Sequence, residues 1–365
     1  MAFIIIVSIY SALIIVLAFG FARHEDIPDR SEDKLHSMTV VVAVRNEAET
    51  IPFLLHDLSQ INYPKDKWEI IVADDHSTDG LHLPPDIRKI TSAKPGKKSA
   101  ITAAVSAASG ELIVTTDADC RVPPNWLREI NKSFRRPGIR MVVGGVRIEE
   151  QGSFFSRLQS IEFVSVIATG AATLGLGIPT MCNGANLAYS RQSFTEVGGY
   201  QDNENIPSGD DEFLMNKFHK KWKKSIAFLH SSQAVVSTAP SPTPGAFVQQ
   251  RLRWAGKWQH NISVVTRVFA MVVWLFHLAF FLMPFAAAAE FLPWKLLFIL
   301  AGAKVFVESL FLIPAANFLN VKWRWISFLA LQFVYSFYVV AIGLASRFVA
   351  AKWKGRSVWK PDRYK

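Results

Sequence analysis

Four long apolar segments constrain what this chain can fold into. Residues 2–22 contain no charged side chain, and three further apolar segments follow at residues 268–289, 296–318 and 326–346. A helix of about 20 apolar residues spans the hydrocarbon core of a bilayer, so each segment is long enough to cross. No Lys or Arg precedes the first segment, which is also longer than the apolar part of a cleaved signal peptide. We therefore expect an uncleaved N-terminal anchor and three C-terminal transmembrane helices.

The segment between the anchor and the C-terminal helices has mixed polarity and the length of one α/β domain. We place this domain at residues 38–240, an interfacial amphipathic helix at 246–262, the three membrane helices within 268–346 and a basic tail at 347–365. Residues 154–178 are also apolar, but glycines interrupt them and Glu162 lies among them. We assign that stretch to a helix of the α/β domain rather than to a fifth span.

The composition excludes an ordinary soluble protein, since half of the residues are hydrophobic and the net charge is +10. Many basic residues lie beside apolar segments, as Arg251, Arg253 and Lys257 do, so we attribute them to anionic lipid headgroups and expect no nucleic acid partner. Three spans after the domain would put the basic tail on the opposite face, against the positive-inside tendency. Either one C-terminal segment does not cross fully or the tail is an exception.

Two charged residues within a membrane segment and the two cysteines also have a structural interpretation. Lys304 and Glu308 lie four residues apart inside an apolar segment, which predicts an ion pair on one helix face, with a polar site in the bundle as the alternative. Cys120 and Cys182 form neither a disulfide framework nor a metal-ligand spacing, which is compatible with a reducing compartment.

The domain begins with alternating strand and helix patterns. Apolar strands are predicted at 38–44, 68–73 and 111–116, with helices between them and short connections, which is typical of a parallel α/β sheet. Acidic residues follow two of these strands, Asp74 and Asp75 after one, Asp117 and Asp119 after another. Ligands bind at the carboxyl ends of such strands, so we expect these acids to share one edge.

Each acidic pair has a functional and a local interpretation. Two carboxylates separated by one small residue, Asp117 and Asp119, suit a hard divalent cation that takes further ligands from phosphates, although an acidic turn is the alternative. Asp74 and Asp75 can accept hydrogen bonds from a nucleotide's base and ribose, or can cap their own turn. A lysine at the following helix start, in the stretch KPGKKS, can meet phosphate charge.

Two later motifs carry further candidates. A predicted helix begins with three acids, Asp210, Asp211 and Glu212. Acids at a helix start interact favourably with the helix dipole, which is the local interpretation. Three in a row exceed that need, so one of them can act as a general base. Gln250, Arg253, Trp254 and Lys257 share one face of a predicted helix, with donors for a diphosphate and a ring for stacking. A basic, aromatic helix lying on the membrane surface is compatible with the same pattern.

The motifs in order resemble glycosyltransferase family 2. They are VAVRNEAE, VADDHSTDG, GKKSAI, TTDADC, NGAN, SGDDEFL and QQRLRW, which extend from residue 42 to residue 254. The resemblance is to the membrane-embedded branch, which includes hyaluronan, chitin and cellulose synthases and lipid glycosyltransferases. It implies a GT-A fold, a nucleotide-sugar donor and inversion at the anomeric carbon.

The resemblance also implies roles for individual residues. Asp74 and Asp75 would bind the nucleotide with Lys97 nearby, and Asp117 and Asp119 would form the DxD pair that binds Mg²⁺ or Mn²⁺. SGDDEFL corresponds to the TED or GDD motif and makes Asp211 the expected base, with Asp210 and Glu212 as rivals because the commoner TED is absent. QxxRW is matched by Gln250, Arg253 and Trp254.

We therefore expect a metal-dependent transferase that moves a sugar from a UDP-linked donor to a lipid or lipid-linked acceptor. A processive polysaccharide synthase is the alternative, against which four spans leave little material for a secretion channel. A non-catalytic membrane scaffold or transporter is the third hypothesis, which the full set of acids disfavours. The expected location is the inner membrane, with the catalytic domain in the cytoplasm.

Overall fold

The computed structural model describes residues 1–24, 34–204, 206, 208–256, 263–354 and 356–357. These divide into two units. The sheet unit comprises His24–Glu149 and Met181–Ala239, and the helical unit comprises Met1–Arg23, Glu150–Thr180 and Pro240–Lys365.

The α-helices and strands of the described residues are numbered along the chain. The helices are α1 (Ala2–Ala22), α2 (Ile51–Ser59), α3 (Lys97–Ala107), α4 (Trp126–Phe134), α5 (Phe154–Gly175), α6 (Arg191–Glu196), α7 (Asp210–Lys221), α8 (Pro244–Gly256), α9 (Val264–Ala288), α10 (Trp294–Phe318) and α11 (Trp325–Ala345). The strands are β1 (Met38–Val44), β2 (Trp68–Asp74), β3 (Arg88–Thr91), β4 (Leu112–Asp117), β5 (Cys120–Arg121), β6 (Met141–Gly144), β7 (Val146–Ile148), β8 (Leu187–Ser190), β9 (Ile226–Leu229), β10 (Val236–Thr238), β11 (Lys352–Trp353) and β12 (Arg356–Ser357).

A seven-stranded sheet forms the core of the sheet unit, in the order β3-β2-β1-β4-β8-β6-β9. The first four strands are parallel, and the alternating pattern predicted three of them, β1, β2 and β4, but not β3. Val40, Val41 and Val42 of β1 are fully buried, which is typical of a parallel strand covered on both faces. The remaining strands depart from that pattern, because β8 runs antiparallel to both β4 and β6.

The apolar stretch at residues 141–148 forms two short strands and not one continuous strand. It divides at Gly145 into β6, in the large sheet, and β7, in a second sheet of order β5-β10-β7. Gly144 allows close packing next to this division, since a Cβ on Gly144 would lie 2.3 Å from the side chain of Asn186. Asn186 is buried and donates to the carbonyls of Gly145 and Ala234, at 2.8 Å each, so it connects the two sheets.

Five helices of the helical unit are long and apolar enough to cross a membrane. Four of them, α1, α9, α10 and α11, correspond to the segments identified in the sequence. Their outward positions carry large exposed apolar side chains, including Ile9 and Phe19 on α1 and Phe333 on α11. Such surfaces are compatible with a hydrocarbon environment and support an integral membrane protein.

The fifth such helix, α5, differs from the sequence-based assignment. It belongs to the helical unit, not to the α/β domain in which we placed residues 154–178. β4 precedes it and β8 follows it, and these two strands pair in one sheet. The count of four crossing helices stays a prediction from the sequence.

A buried polar network connects three of the long helices. The expected pair between Lys304 and Glu308 forms at 2.8 Å. Tyr10 of α1 donates to the same carboxylate at 2.6 Å, and Gln332 of α11 accepts from Lys304 at 2.5 Å and donates to Glu308 at 3.0 Å. Removing charges from water is unfavourable, so these added hydrogen bonds are what make the pair tolerable among apolar helices.

We predict that Glu308→Leu lowers the free energy of unfolding by about 3 to 5 kcal/mol, because it leaves the Lys304 ammonium buried without a counter-ion. Denaturant unfolding in detergent measures this. The double variant Lys304→Met with Glu308→Leu should recover most of the loss, since neither charge is then buried alone. Equal loss in the single and double variants would contradict the prediction.

Candidate active site

The carboxyl ends of the central strands place the predicted acids at one edge of the sheet. In the register of β1, Ala43 lies opposite Asp117 of β4, and Val44 lies opposite Asp74 of β2. The two aspartates thus flank β1 one residue apart along the strand direction. The expected shared edge is confirmed for Asp74 and Asp117.

Asp117 and Asp119 take different positions from those expected of one strand. Asp117 is the last residue of β4, whereas Asp119 lies in the short turn between β4 and β5 and is exposed. The side chain of Asp117 is 36% exposed. Both carboxylates are therefore accessible at the sheet edge, with the small, buried Ala118 between them.

The donor set at this edge fits a hard divalent cation that is only partly ligated by protein. Among the described residues, no three His, Cys, Asp or Glu side chains are grouped closely enough to hold a metal by themselves. Two carboxylates leave several coordination positions for water and for phosphate oxygens, as is usual for Mg²⁺ and Mn²⁺. Asp117 and Asp119 would hold such a cation only together with ligands from a substrate.

Lys97 brings three elements together. It is the first residue of α3, and its ammonium lies 2.6 Å from a carboxylate oxygen of Asp117 and 3.8 Å from one of Asp210. Burial alone would lower the pKa of Lys97, but the carboxylates of Asp117, Asp210 and Asp211 raise it above its ordinary value. Lys97 is therefore a permanent positive charge between the end of β4 and the start of α7.

Asp211 is fixed by backbone donors. Its carboxylate accepts from the amide of Gly184 at 3.0 Å and from the amide of Glu212 at 2.8 Å. Gly184 is in turn held by Thr115 of β4, whose hydroxyl donates to the Gly184 carbonyl at 2.8 Å. The NGAN stretch thus connects the strand that ends in Asp117 with the acid cluster, which the sequence pattern alone does not show.

Asp74 and Asp75 are buried, and each carboxylate accepts a hydrogen bond from a backbone amide. Asp74 accepts from the amide of Ser77 at 2.9 Å, which caps the turn after β2. Asp75 accepts from the amide of Gly96 at 2.7 Å, where the backbone φ of +129° favours glycine. The capping alternative is therefore realised for Asp74, and Asp75 positions the start of α3.

Sequence reasoning missed Lys98, the second lysine of KPGKKS. Its side chain is buried, and its ammonium donates to the carbonyls of Asn203 at 2.7 Å, Ile206 at 2.8 Å and Ser208 at 3.5 Å. It also lies 4.9 Å from the ring centroid of Phe213 on α7. Lys98 thus anchors the segment that leads into the acid cluster. The only sequence signal for the buried position of Lys98 is that a second lysine follows Lys97 in an otherwise apolar helix pattern.

The QxxRW residues lie on α8, in the helical unit. Gln250 and Trp254 fall on one helix face, as predicted, and Arg253 is partly buried, while Lys257 lies outside the described residues. Arg251 differs from its expected role at lipid headgroups. Its side chain is 4% exposed and pairs with Glu162 of α5 at 2.5 Å.

Neither Cys120 nor Cys182 forms a disulfide in the described residues. Burial raises the pKa of the Cys120 thiol, and the nearby carboxylates of Asp119 and Asp117 raise it further. Cys120 therefore stays protonated and inert beside the candidate cation site.

Comparison with known proteins identifies related sequences. Residues 39–198 match the family model described as Glycosyl transferase family 2. A beta-monoglucosyldiacylglycerol synthase from Nostoc sp. is 25% identical over 301 residues, which cover 76% of this chain and 62% of that protein. A poly-beta-1,6-N-acetyl-D-glucosamine synthase from Staphylococcus aureus is 26% identical over 239 residues, 62% of this chain and 56% of that protein. The matches thus span less than two thirds of the length of these curated relatives.

A solved structure shares the fold. The mannosyltransferase from Pyrobaculum calidifontis, in complex with GDP-Man and Mn²⁺, aligns with a TM-score of 0.57 at 18% identity, covering 94% of this chain and 95% of that one. At this identity the similarity concerns the fold alone, and it confirms a GT-A-like α/β domain accompanied by long apolar helices.

We predict that the segment held by Lys98 opens less readily at alkaline pH. Burial lowers the pKa of Lys98 to about 8, whereas an opened segment returns the lysine to its higher, ordinary pKa, so the opened state binds more protons between these two values. Opening therefore becomes less favourable as the pH rises, and limited proteolysis between Asn203 and Ser208 should slow from pH 7.5 to pH 9.5. In Lys98→Arg the guanidinium stays charged, and the slowing should be absent. Identical pH profiles for the two proteins would refute the prediction.

Proposed function

Since this chain is a glycosyltransferase of family 2, we propose that it transfers a sugar, with inversion, from a UDP-linked donor to a hydroxyl of a lipid or lipid-linked acceptor at the membrane. The observation that carries the catalytic part is the contact of Lys97 with Asp117 and Asp210. It joins the DxD strand to the helix that begins with the candidate base.

The lipid acceptor is supported by two separate observations. The sheet unit is continuous in sequence with five helices that are long and apolar enough to cross a bilayer. A protein named beta-monoglucosyldiacylglycerol synthase is among its relatives. Apolar helices precede and follow the sheet unit in the sequence, so they would keep the enzyme at the membrane. An acceptor dissolved in the bilayer could then reach it without leaving the membrane.

A processive polysaccharide synthase is the second candidate function. The relative named poly-beta-1,6-N-acetyl-D-glucosamine synthase matches at nearly the same identity as the lipid enzyme, so identity does not rank the two. Within the described residues, the five apolar helices are few for a secretion channel, which favours transfer of one or a few sugars.

In the proposed reaction Asp211 is the general base. The acceptor oxygen forms a bond to C1 of the sugar while the bond from C1 to the phosphate oxygen breaks, and the diphosphate leaves with the electron pair. The Asp211 carboxylate takes the hydroxyl proton, and backbone amides of Gly184 and Glu212 hold it in a fixed orientation. Asp210 and Glu212 are its rivals, and Asp210 is already paired with Lys97.

Lys97 has a second role in this proposal. Its permanent charge lies at the first turn of α3, so it can stabilise negative charge on the leaving diphosphate together with the helix N-terminus. Asp74 and Asp75 would bind the nucleoside, and Gln250, Arg253 and Trp254 would act on the diphosphate and acceptor, as the family resemblance implies.

The proposed cofactor is Mg²⁺ or Mn²⁺, held by Asp117 and Asp119. The structural neighbour from Pyrobaculum calidifontis contains Mn²⁺ with its donor GDP-Man, which supports this choice. When bound, such a cation neutralises charge on the departing diphosphate. The proposed location is the inner membrane, with the sheet unit in the cytoplasm where nucleotide sugars are made.

We predict that Asp211→Asn lowers kcat by about 10²- to 10⁴-fold, because an amide cannot accept the hydroxyl proton. Initial rates of nucleoside diphosphate release, measured for Asp211→Asn, Asp210→Asn and Glu212→Gln, identify the base as the variant with the largest loss. Asp66→Asn, an exposed acid of the same unit, serves as the control. A kcat for Asp211→Asn within threefold of wild type would exclude Asp211.

We also expect transfer to stop in excess EDTA and to resume when Mn²⁺ or Mg²⁺ is added back. Asp119→Ala should require at least tenfold more cation for half-maximal rate, because one of the two carboxylate ligands is then lost. Full activity in EDTA would contradict the metal assignment.

Product extraction distinguishes the two candidate functions. Membranes containing the protein are incubated with radiolabelled nucleotide sugars and extracted into organic solvent. Label in the organic phase indicates a glycolipid, and label in an insoluble pellet indicates a polymer. Label in neither fraction, with every donor tested, would contradict both candidates.

A further inference from the structure

The QxxRW motif contains one partner of a buried ion pair that the proposed mechanism does not use. Arg251 of α8 donates through Nε to one oxygen of Glu162 at 3.1 Å and through Nη2 to the other at 2.5 Å. Both side chains are 4% exposed. Tyr338 of α11 donates to the same carboxylate at 3.3 Å. Two parallel hydrogen bonds fix the plane of the guanidinium as well as its position.

Arg251 also contacts two residues of the motif directly. Its third donor, Nη1, bonds the side-chain oxygen of Gln250 at 2.5 Å. Its guanidinium carbon lies 4.3 Å from the ring centroid of Trp254 and 4.3 Å from that of Phe247, so it is held between the two rings. These residues occupy positions i, i+3, i+4 and i+7 of α8, which is one helix face.

A second set of bonds fixes the start of α8 against the same helix. Gln159 of α5 donates to the carbonyl of Ser241 at 3.1 Å and accepts from its amide at 2.8 Å. The Ser241 hydroxyl donates to Gln250 at 3.4 Å. Gln250 therefore receives hydrogen bonds from both sides, and α5 fixes α8 at two points one helical turn apart.

We propose that Arg251 and Glu162 are positioning residues for sugar transfer, which set the orientation of Gln250 and Trp254. A buried charge pair is poor evidence for stability, since an apolar pair of similar volume often serves as well. The contacts of Arg251 with two motif residues give this pair a different use. The inference rests on the proposed function, because it assumes that Gln250 and Trp254 act in transfer.

The test compares kcat per folded molecule among variants of the full chain in detergent. Arg251→Lys keeps the charge but cannot form the fork, and Glu162→Gln keeps the shape but removes the counter-charge. Each should lower kcat at least tenfold, since small displacements of substrate-positioning groups have large effects on rate. The KM for the nucleotide sugar should change less than threefold. Tyr338→Phe, which removes one hydrogen bond to Glu162, should lower kcat two- to fivefold.

The matched control is Arg324→Lys. Arg324 forms a comparable fork with Glu150 in the same helical unit, at 2.8 to 3.1 Å, but at a more exposed position. Its kcat should stay within twofold of wild type. A role in folding alone would lower the amount of folded protein and leave kcat per folded molecule unchanged.

Wild-type kcat in folded Arg251→Lys and Glu162→Gln would overturn the inference. If both variants misfold, Tyr338→Phe decides the matter, and a wild-type kcat in that variant also overturns it. A wild-type protein that transfers sugar from no donor is a different outcome, since it contradicts the proposed function instead.

Discussion

The interaction on which the candidate active site depends is that of the Lys97 ammonium with two carboxylates. Asp117, Asp210 and Asp211 converge from elements that are distant in sequence, and like charges at short range repel one another. Lys97 offsets this repulsion at 2.6 Å from Asp117 and 3.8 Å from Asp210. The sheet supplies the first carboxylate, and the backbone of Gly184 fixes Asp211. One ammonium offsets only part of the charge of these carboxylates, so the edge keeps a net negative charge that can attract a cation.

In the helical unit the charged side chains lie among apolar helices, so each buried charge needs a partner of opposite sign. Lys304 with Glu308 and Arg251 with Glu162 are both buried, and each pair receives further hydrogen bonds, from Tyr10 and Gln332 in one case and from Tyr338 in the other. An unpaired charge in such surroundings is strongly unfavourable. The relative positions of helices that are far apart in sequence are therefore specified by a few polar contacts within an apolar bundle.

Some parts of the fold follow from local patterns. β1 was predicted at its observed bounds, and the four long apolar helices lie within a few residues of their predicted segments. The convergence of Asp74 and Asp117 followed from strand direction alone. The ion pair of Lys304 with Glu308 followed from helical spacing. In each case the determining interactions lie within one element or between neighbouring parallel strands.

The amino-acid sequence thus determined the apolar segments, the parallel core and the order of the motifs, because hydrophobic periodicity and turn chemistry act over a few residues. Only the tertiary structure decided that β8 runs antiparallel, that α5 packs in the helical unit and that Lys98 anchors the segment before α7. It also decided that Arg251, which looked like a headgroup contact, is buried against Glu162. These outcomes depend on partners up to 110 residues away, and a local pattern does not show which distant group will satisfy a buried charge.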